Sequence, residues 1–258
     1  MIYKDCDNKE PVVVILERML SLAGPDKSTL IERELRTLRA GIKGERESAC
    51  LLDFHLKDAT RMAVLHDLRL DLGDGSVAQI DHLLIHRTRR FYVLETKHFS
   101  RSVKITDEGE FLRWNSFRKN WDSTPSPLAQ NERHVQVVRK VLGTLDLGNC
   151  PIESWVLVAP TARVERPRRF DTSHVMRTDQ FIERMNKSLE NAPTLGVLGG
   201  LLRTGLYDSI GDIARKLAAL HCPCTTDYMA RFGLAKEPMA ARASPGSQAL
   251  AADSMRST

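Results

Sequence analysis

No stretch of this chain stays apolar for long. The longest hydrophobic run near its start, PVVVIL at 11–16, ends at Glu17 and Arg18. That is far short of the roughly 20 apolar residues that span a bilayer, so no transmembrane helix is expected. Cysteine is sparse: five thiols (Cys6, Cys50, Cys150, Cys222, Cys224) are scattered along 258 residues with no secretory leader ahead of them. An odd, dispersed set argues against a disulfide framework and for a reducing cytoplasm. No Ser/His/Asp arrangement or nucleophile elbow is visible, and the glycine-rich GVLGGLL has no Lys-Ser/Thr after it, so a phosphate-binding loop is not indicated. The C-x-C of HCPC, beginning at His221, lacks a second matching pair, and a reduced thiol pair at a helix end explains it more simply than zinc does. There is no internal repeat.

What the chain has in modest excess is positive charge, +5 net. It gathers at Arg87, Arg89 and Arg90, at Lys97, Arg101 and Lys104, at Arg113, Arg118 and Lys119, and at Arg163, Arg166, Arg168 and Arg169. Phe99, Trp114, Phe117 and Trp121 interleave with these clusters. The mixture can hold phosphates and stack bases, and it can equally be a solvated face over core aromatics.

Hydrophobic spacing predicts a helix over 11–22, stopped at Gly24-Pro25. A Leu/Glu/Arg-rich run follows Ser28 and Thr29. Gly41 and Gly44 divide it from a second helix, from about Glu45 to Lys57, with Glu45 in its first turn. Three strands, MAVLHDLRL (62–70), VAQIDHLLIH (77–86) and FYVLETK (91–97), read as a meander, the first turn marked by Gly73-Asp74-Gly75. SVKIT and EFLRW read as a short hairpin. Ser126 caps and Pro127 opens a helix on which Gln130 and His134 lie one turn apart. ESWVLVAP is a buried strand; a short strand at 174–177 and helices from Asp179 and over 209–220 follow. The expected class is α/β, a mixed central sheet flanked by helices. Four segments are expected: a helical accessory segment at 1–37, a core at 38–160, an α/β extension at 161–235 and a disordered tail at 236–258.

Charges intrude on the meander. If Arg87 pairs with Phe91 across a three-residue loop, Leu83 meets Glu95, Asp81 meets Lys97, and all three charged residues crowd one end of one face. A loop of two or four residues would put Asp81 on the other face. Two carboxylates and an ammonium in one place suit a divalent cation: Asp81, Glu95 and the Thr96 carbonyl supply oxygen ligands, Lys97 orients water, and Glu45 ligates through water or binds a second ion. An ordinary exposed ion pair of Asp81 with Lys97 fits the same spacing. His82 should point to the opposite face as a structural histidine, and Trp114 and Trp121 should pack within their hairpin.

The ordered set GERESACLLDFHL, QIDHLLI, FYVLETK and PSPLAQNERHVQVVRKVL resembles the nuclease-related domain, a branch of the PD-(D/E)XK nuclease superfamily. The turn before FYVLETK reads HRTRRF where the family usually carries Gly, and His98 stands where Asn is frequent. The resemblance implies a restriction-endonuclease-like core and a Mg²⁺- or Mn²⁺-dependent deoxyribonuclease. Asp81, Glu95 and Lys97 would be its central residues, with Glu45 as the helical acid and Gln130 as the supporting glutamine. DNA is the implied partner, with RNA, endo- or exonuclease action and oligomeric state left open. Arg87, Arg89, Arg90, His98, Arg101, Lys104, Arg118 and Lys119 are the candidate contacts to its backbone. The alternative is a catalytically silent nucleic-acid-binding or regulatory module on the same fold.

Overall fold

The computed structural model describes residues 1–99, 102–190, 209–224 and 226–234. GVLGGLL, Arg101 and the tail from 236 lie outside them. The chain runs β1 (Ile2–Lys4), α1 (Glu10–Leu22), α2 (Pro25–Leu56), β2 (Met62–Asp71), β3 (Val77–His86), β4 (Phe91–Lys97), β5 (Ser102–Ile105), β6 (Phe111–Asn115) and β7 (Asn120–Thr124). It continues through α3 (Pro127–Thr144), β8 (Ile152–Val158), β9 (Arg163–Glu165), β10 (Val175–Arg177), α4 (Thr178–Glu190), α5 (Ile210–Ala219) and α6 (Tyr228–Arg231). Strands β1-β2-β3-β4-β8-β10 form a mixed six-stranded sheet, and β7-β6-β5-β9 a second, smaller one. The fold is mixed α/β with helices on both faces of the main sheet. No helix among the described residues is long and apolar enough to cross a membrane.

Strand β4 shows why the sheet is covered twice. Phe91 and Val93 pack with α3 and α5 residues such as Val138 and Leu217, whereas Tyr92 and Leu94 pack with Leu52 of α2 and Phe181 of α4. Both sets are apolar because both faces are buried. Helix α3 begins where the sequence places it: the Ser126 hydroxyl accepts the Ala129 N–H at 3.3 Å, and Pro127 occupies the first turn. Asn131, fully buried, then ties α3 to the sheet, its Nδ2 lying 2.9 Å from the Val93 carbonyl and 3.0 Å from that of Trp155.

Three expectations need correction. Gly41 and Gly44 do not divide two helices, because α2 runs unbroken through both; glycine costs a helix only about 1 kcal/mol, which packing readily offsets. At Gly44 α2 packs against the residue that follows β4, and a Cβ there would stand 2.6 Å from the Cβ of His98. Strands β1, β7 and β9, too short to carry a pattern, were not anticipated.

The third correction is the register. The β3–β4 loop does have three residues, but they are Arg87, Thr88 and Arg89: the His86 N–H donates to the Arg90 carbonyl at 2.9 Å, and Arg89 takes the left-handed φ of 61°. The His86 ring closes the turn early by binding the Thr88 hydroxyl at 2.8 Å. Leu83 therefore pairs with Val93, not Glu95, and the ladder continued by one residue brings Asp81 level with Glu95 rather than Lys97.

Candidate active site

The site forms where strand alternation slips. In β2, Ala63 and Leu65 and then Leu68 and Leu70 occupy the same core, so the in/out pattern shifts by one residue between them. Asp67 makes the shift with φ 53°, a conformation that Asp tolerates better than most side chains. Ala78 and Ile80, then Leu83 and Ile85, show the same slip in β3. Pairing continues in register across it, His66 with His82 and Leu68 with Ile80, so Asp67 lies level with Asp81. Three acids, Asp67, Asp81 and Glu95, thus stand in a row across three adjacent strands.

Behind the row, the imidazoles close the opposite face. His66 and His82 meet Nδ1 to Nδ1 at 2.8 Å, and His66 Nε2 lies 2.9 Å from Asp53 Oδ1 of α2. His82 is buried on that face, and its Nε2 has no hydrogen-bond partner among the described residues.

Two lysines answer the row of acids. Lys97 Nζ lies 2.6 Å from Glu95 Oε1 and donates to Gln130 Oε1 at 3.0 Å. From the other side Lys9, just before α1, pairs with Glu45 and reaches Asp67 Oδ2 at 3.0 Å. Asp81 Oδ2 accepts the Thr96 N–H at 2.6 Å, and Gln79 Nε2 donates to Asp67 Oδ1 at 2.5 Å. Glu95 is 2% exposed, and its Oε2 has no hydrogen-bond partner among the described residues; His134 Nδ1, likewise unpartnered among them, stands 3.5 Å away.

Electrostatics mark these groups as under tension. Burial, reinforced by the charges of Glu95 and Glu45, pushes the Asp81 carboxyl well above the ordinary carboxylate range. Burial also raises Glu95, with Lys97 partly offsetting it, and raises Glu45, with Lys9 partly offsetting it. Burial together with Lys97 and Arg133 drives His134 down to about 4, and burial beside Asp67 and Glu45 lifts the Cys6 thiol to about 11. A partly desolvated group of like charges is the electrostatic condition that a bound cation relieves.

The fold gathers Asp81, Glu95, Thr96, Lys97 and Gln130, with Glu45 adjoining through Lys9 and its influence on Asp81. His98 packs against Gly44. Lys104 is exposed on β5, and Arg118 and Lys119 sit at the β6–β7 tip, with Trp114 and Trp121 edge to face beneath them at 5.4 Å. Arg87, Arg89 and Arg90 are not brought to the site: they flank the start of β4, six residues and about 20 Å from Lys97. Arg90 is committed to Glu153.

Lys9, Asp67, Asn131 and His134 escaped a role in the sequence reading. An acid inside the apolar MAVLHDLRL and a histidine one turn after Gln130 were available signals; Lys9 had none, because its partners lie 36 and 58 residues away.

The oxygen-rich donor set and the orphaned Glu95 Oε2 fit a hard divalent cation. Among the described residues, no three His, Cys, Asp or Glu side chains form a ready cage, so such an ion would rest on two carboxylates, a carbonyl and water. HCPC forms none either, and His221 Nδ1 is taken by the Arg69 N–H at 3.1 Å.

No curated protein and no solved structure matches the chain. The family model of the nuclease-related domain matches residues 40–159, the segment that supplies Asp81, Glu95, Lys97 and Gln130. Over residues 40–159 this chain is similar to the nuclease-related domain.

Proposed function

We propose that this domain is a Mg²⁺- or Mn²⁺-dependent deoxyribonuclease with a PD-(D/E)XK-type centre. The observation that carries the reading is Lys97 held between Glu95 and Gln130, next to a strained Asp81–Glu95 carboxylate pair. Asp81, Glu95 and the Thr96 carbonyl would hold the ion, with Glu45 near enough to act through water. Bound there, it would supply an acidified water and a counter-charge for a phosphate oxygen. Lys97 would orient the attacking water and neutralise charge as the water oxygen bonds to phosphorus, the P–O bond to the sugar oxygen breaks and that oxygen takes up a proton from solvent. Gln130 fixes the lysine. The products are a phosphate monoester and a free hydroxyl.

The test is incubation of the purified chain with supercoiled plasmid, linear duplex and single-stranded DNA, with Mg²⁺, Mn²⁺ or EDTA, beside Asp81→Ala and Lys97→Ala. Metal-dependent cleavage lost in both variants is expected; cleavage undiminished in both would remove the assignment. Lys9 and Lys97 already balance part of the acidic row, which favours a second reading, a silent nucleic-acid-binding module. Binding without cleavage in any metal would support that module instead.

A further inference from the structure

The β6–β7 hairpin carries an exposed aromatic that the fold does not use. Phe117 is 96% exposed, although burying a phenylalanine is worth about 2 kcal/mol. It is not on a loose loop. Asn115 Oδ1 accepts the N–H groups of Phe117 and Arg118, each at 3.1 Å, and Asn115 Nδ2 donates to Asp122 Oδ2 at 2.6 Å. Lys119 closes the turn with a left-handed φ of 52°, and the Trp114–Trp121 pair stiffens the hairpin one residue below. The tip is built to hold Phe117 outward with two exposed cations, Arg118 and Lys119, beside it.

The hairpin is also rooted in the site. Its sheet begins at β5, just after Lys97, and β7 hands the chain to α3, whose first turn carries Gln130. From Thr124 to Asn120 the strand extends about 13 Å, so the tip stands one short strand beyond the point where the chain turns into α3. A ring flanked by cations is complementary to a polyanion with stackable faces, and a ring this exposed needs a base that is not already stacked on both sides.

We propose that the β6–β7 hairpin is a nucleic-acid finger: Phe117 stacks on an unpaired base while Arg118 and Lys119 hold the flanking phosphates. It directs the domain to substrates with single-stranded segments. The finger rests on the nucleic-acid reading above, but not on turnover.

The test measures binding of labelled single-stranded and duplex oligonucleotides of equal length in EDTA, by anisotropy and by fluorescence of Trp114 and Trp121. Phe117→Ala should weaken single-strand binding about 5- to 150-fold, the effect of losing one stacked base, and duplex binding far less. Phe117→Tyr should retain it. Removing both cations, R118A with K119A, should lower the single-strand salt slope by about 1.4. Phe117→Ala binding both ligands as wild type does, or weakening both equally, would overturn the finger. So would a Phe117→Ala variant that changes only the oligomeric mass or only the affinity for anionic vesicles. A chain that cuts nothing yet shows the Phe117 effect keeps the finger and loses the nuclease; cleavage with no Phe117 effect does the reverse.

Discussion

Lys9 Nζ lies 3.0 Å from Asp67 Oδ2, joining the segment before α1 to a left-handed residue in the middle of β2. The same ammonium pairs with Glu45, and the two carboxylates raise the lysine's pKa despite its burial. Lys9 is thus a tethered cation at one end of the acidic row. Lys9→Met should cost roughly 3 kcal/mol, the low end of the range for stranding buried charge because the lysine side chain is a quarter exposed. It should also open the Glu45–Asp67 seat: Mn²⁺ should raise the melting temperature of Lys9→Met more than that of wild type or Lys9→Arg. Equal shifts in all three proteins would show that Lys9 does not guard that seat.

Asp81 gives a pH signature. Its carboxyl ionises near 3.8 when unfolded and at higher pH in the fold, pushed by burial and by Glu95 and Glu45. Between those values the fold keeps a proton that the unfolded chain has released, so this group's contribution to stability falls as pH rises above about 4. Asp81→Asn removes that slope and can still accept the Thr96 N–H. In EDTA the variant should melt above wild type at neutral pH, and the gap should close as the pH is lowered toward 4 in a calorimetric series. A gap that did not change with pH would mean that the carboxyl is not strained.

Gly41 and Gly44, three residues apart on α2, should respond with opposite signs. A Cβ at Gly41 meets nothing closer than Glu45 Oε1 at 3.8 Å, so Gly41→Ala should gain up to about 1 kcal/mol from helix propensity. At Gly44 the added carbon would strike His98 at 2.6 Å. Gly44→Ala should lower the melting temperature, and His98→Gly in the same chain should restore most of it. Melting curves of the four proteins decide this.

That pair also marks where the sequence was legible. Strands β3 and β4 and the start of α3 were readable because alternation, Ser126 and Pro127 are local signals. So were Asp81, Glu95 and Lys97, polar residues standing against an apolar period. Gly44 misled because its reason is a contact with His98, 54 residues on, and Gly41 because the small helix cost of a glycine is offset by packing. Register was readable only to parity: side chains report which face they are on, whereas the pairing depends on the His86–Thr88 bond that closes the turn. Lys9 was invisible, since nothing in DNKEPV announces an ion pair across the fold.

Lys97 and Gln130 should separate chemistry from binding. Lys97 touches both Glu95 and Gln130, whereas Gln130 acts only through the lysine. In single-turnover cleavage with Mn²⁺, Lys97→Met should lose about 10²- to 10⁴-fold in rate, the usual range for a group that handles a proton or charge in the transition state. Gln130→Ala should lose about tenfold, with KM for DNA unchanged in both, since neither side chain is asked to hold ground-state substrate. Gln130→Glu offers Lys97 a carboxylate in place of an amide and should recover part of the alanine variant's loss. If KM rises while kcat stays constant, the pair binds the backbone and the water-positioning role must pass to another group, such as His134 of α3, 3.5 Å from Glu95.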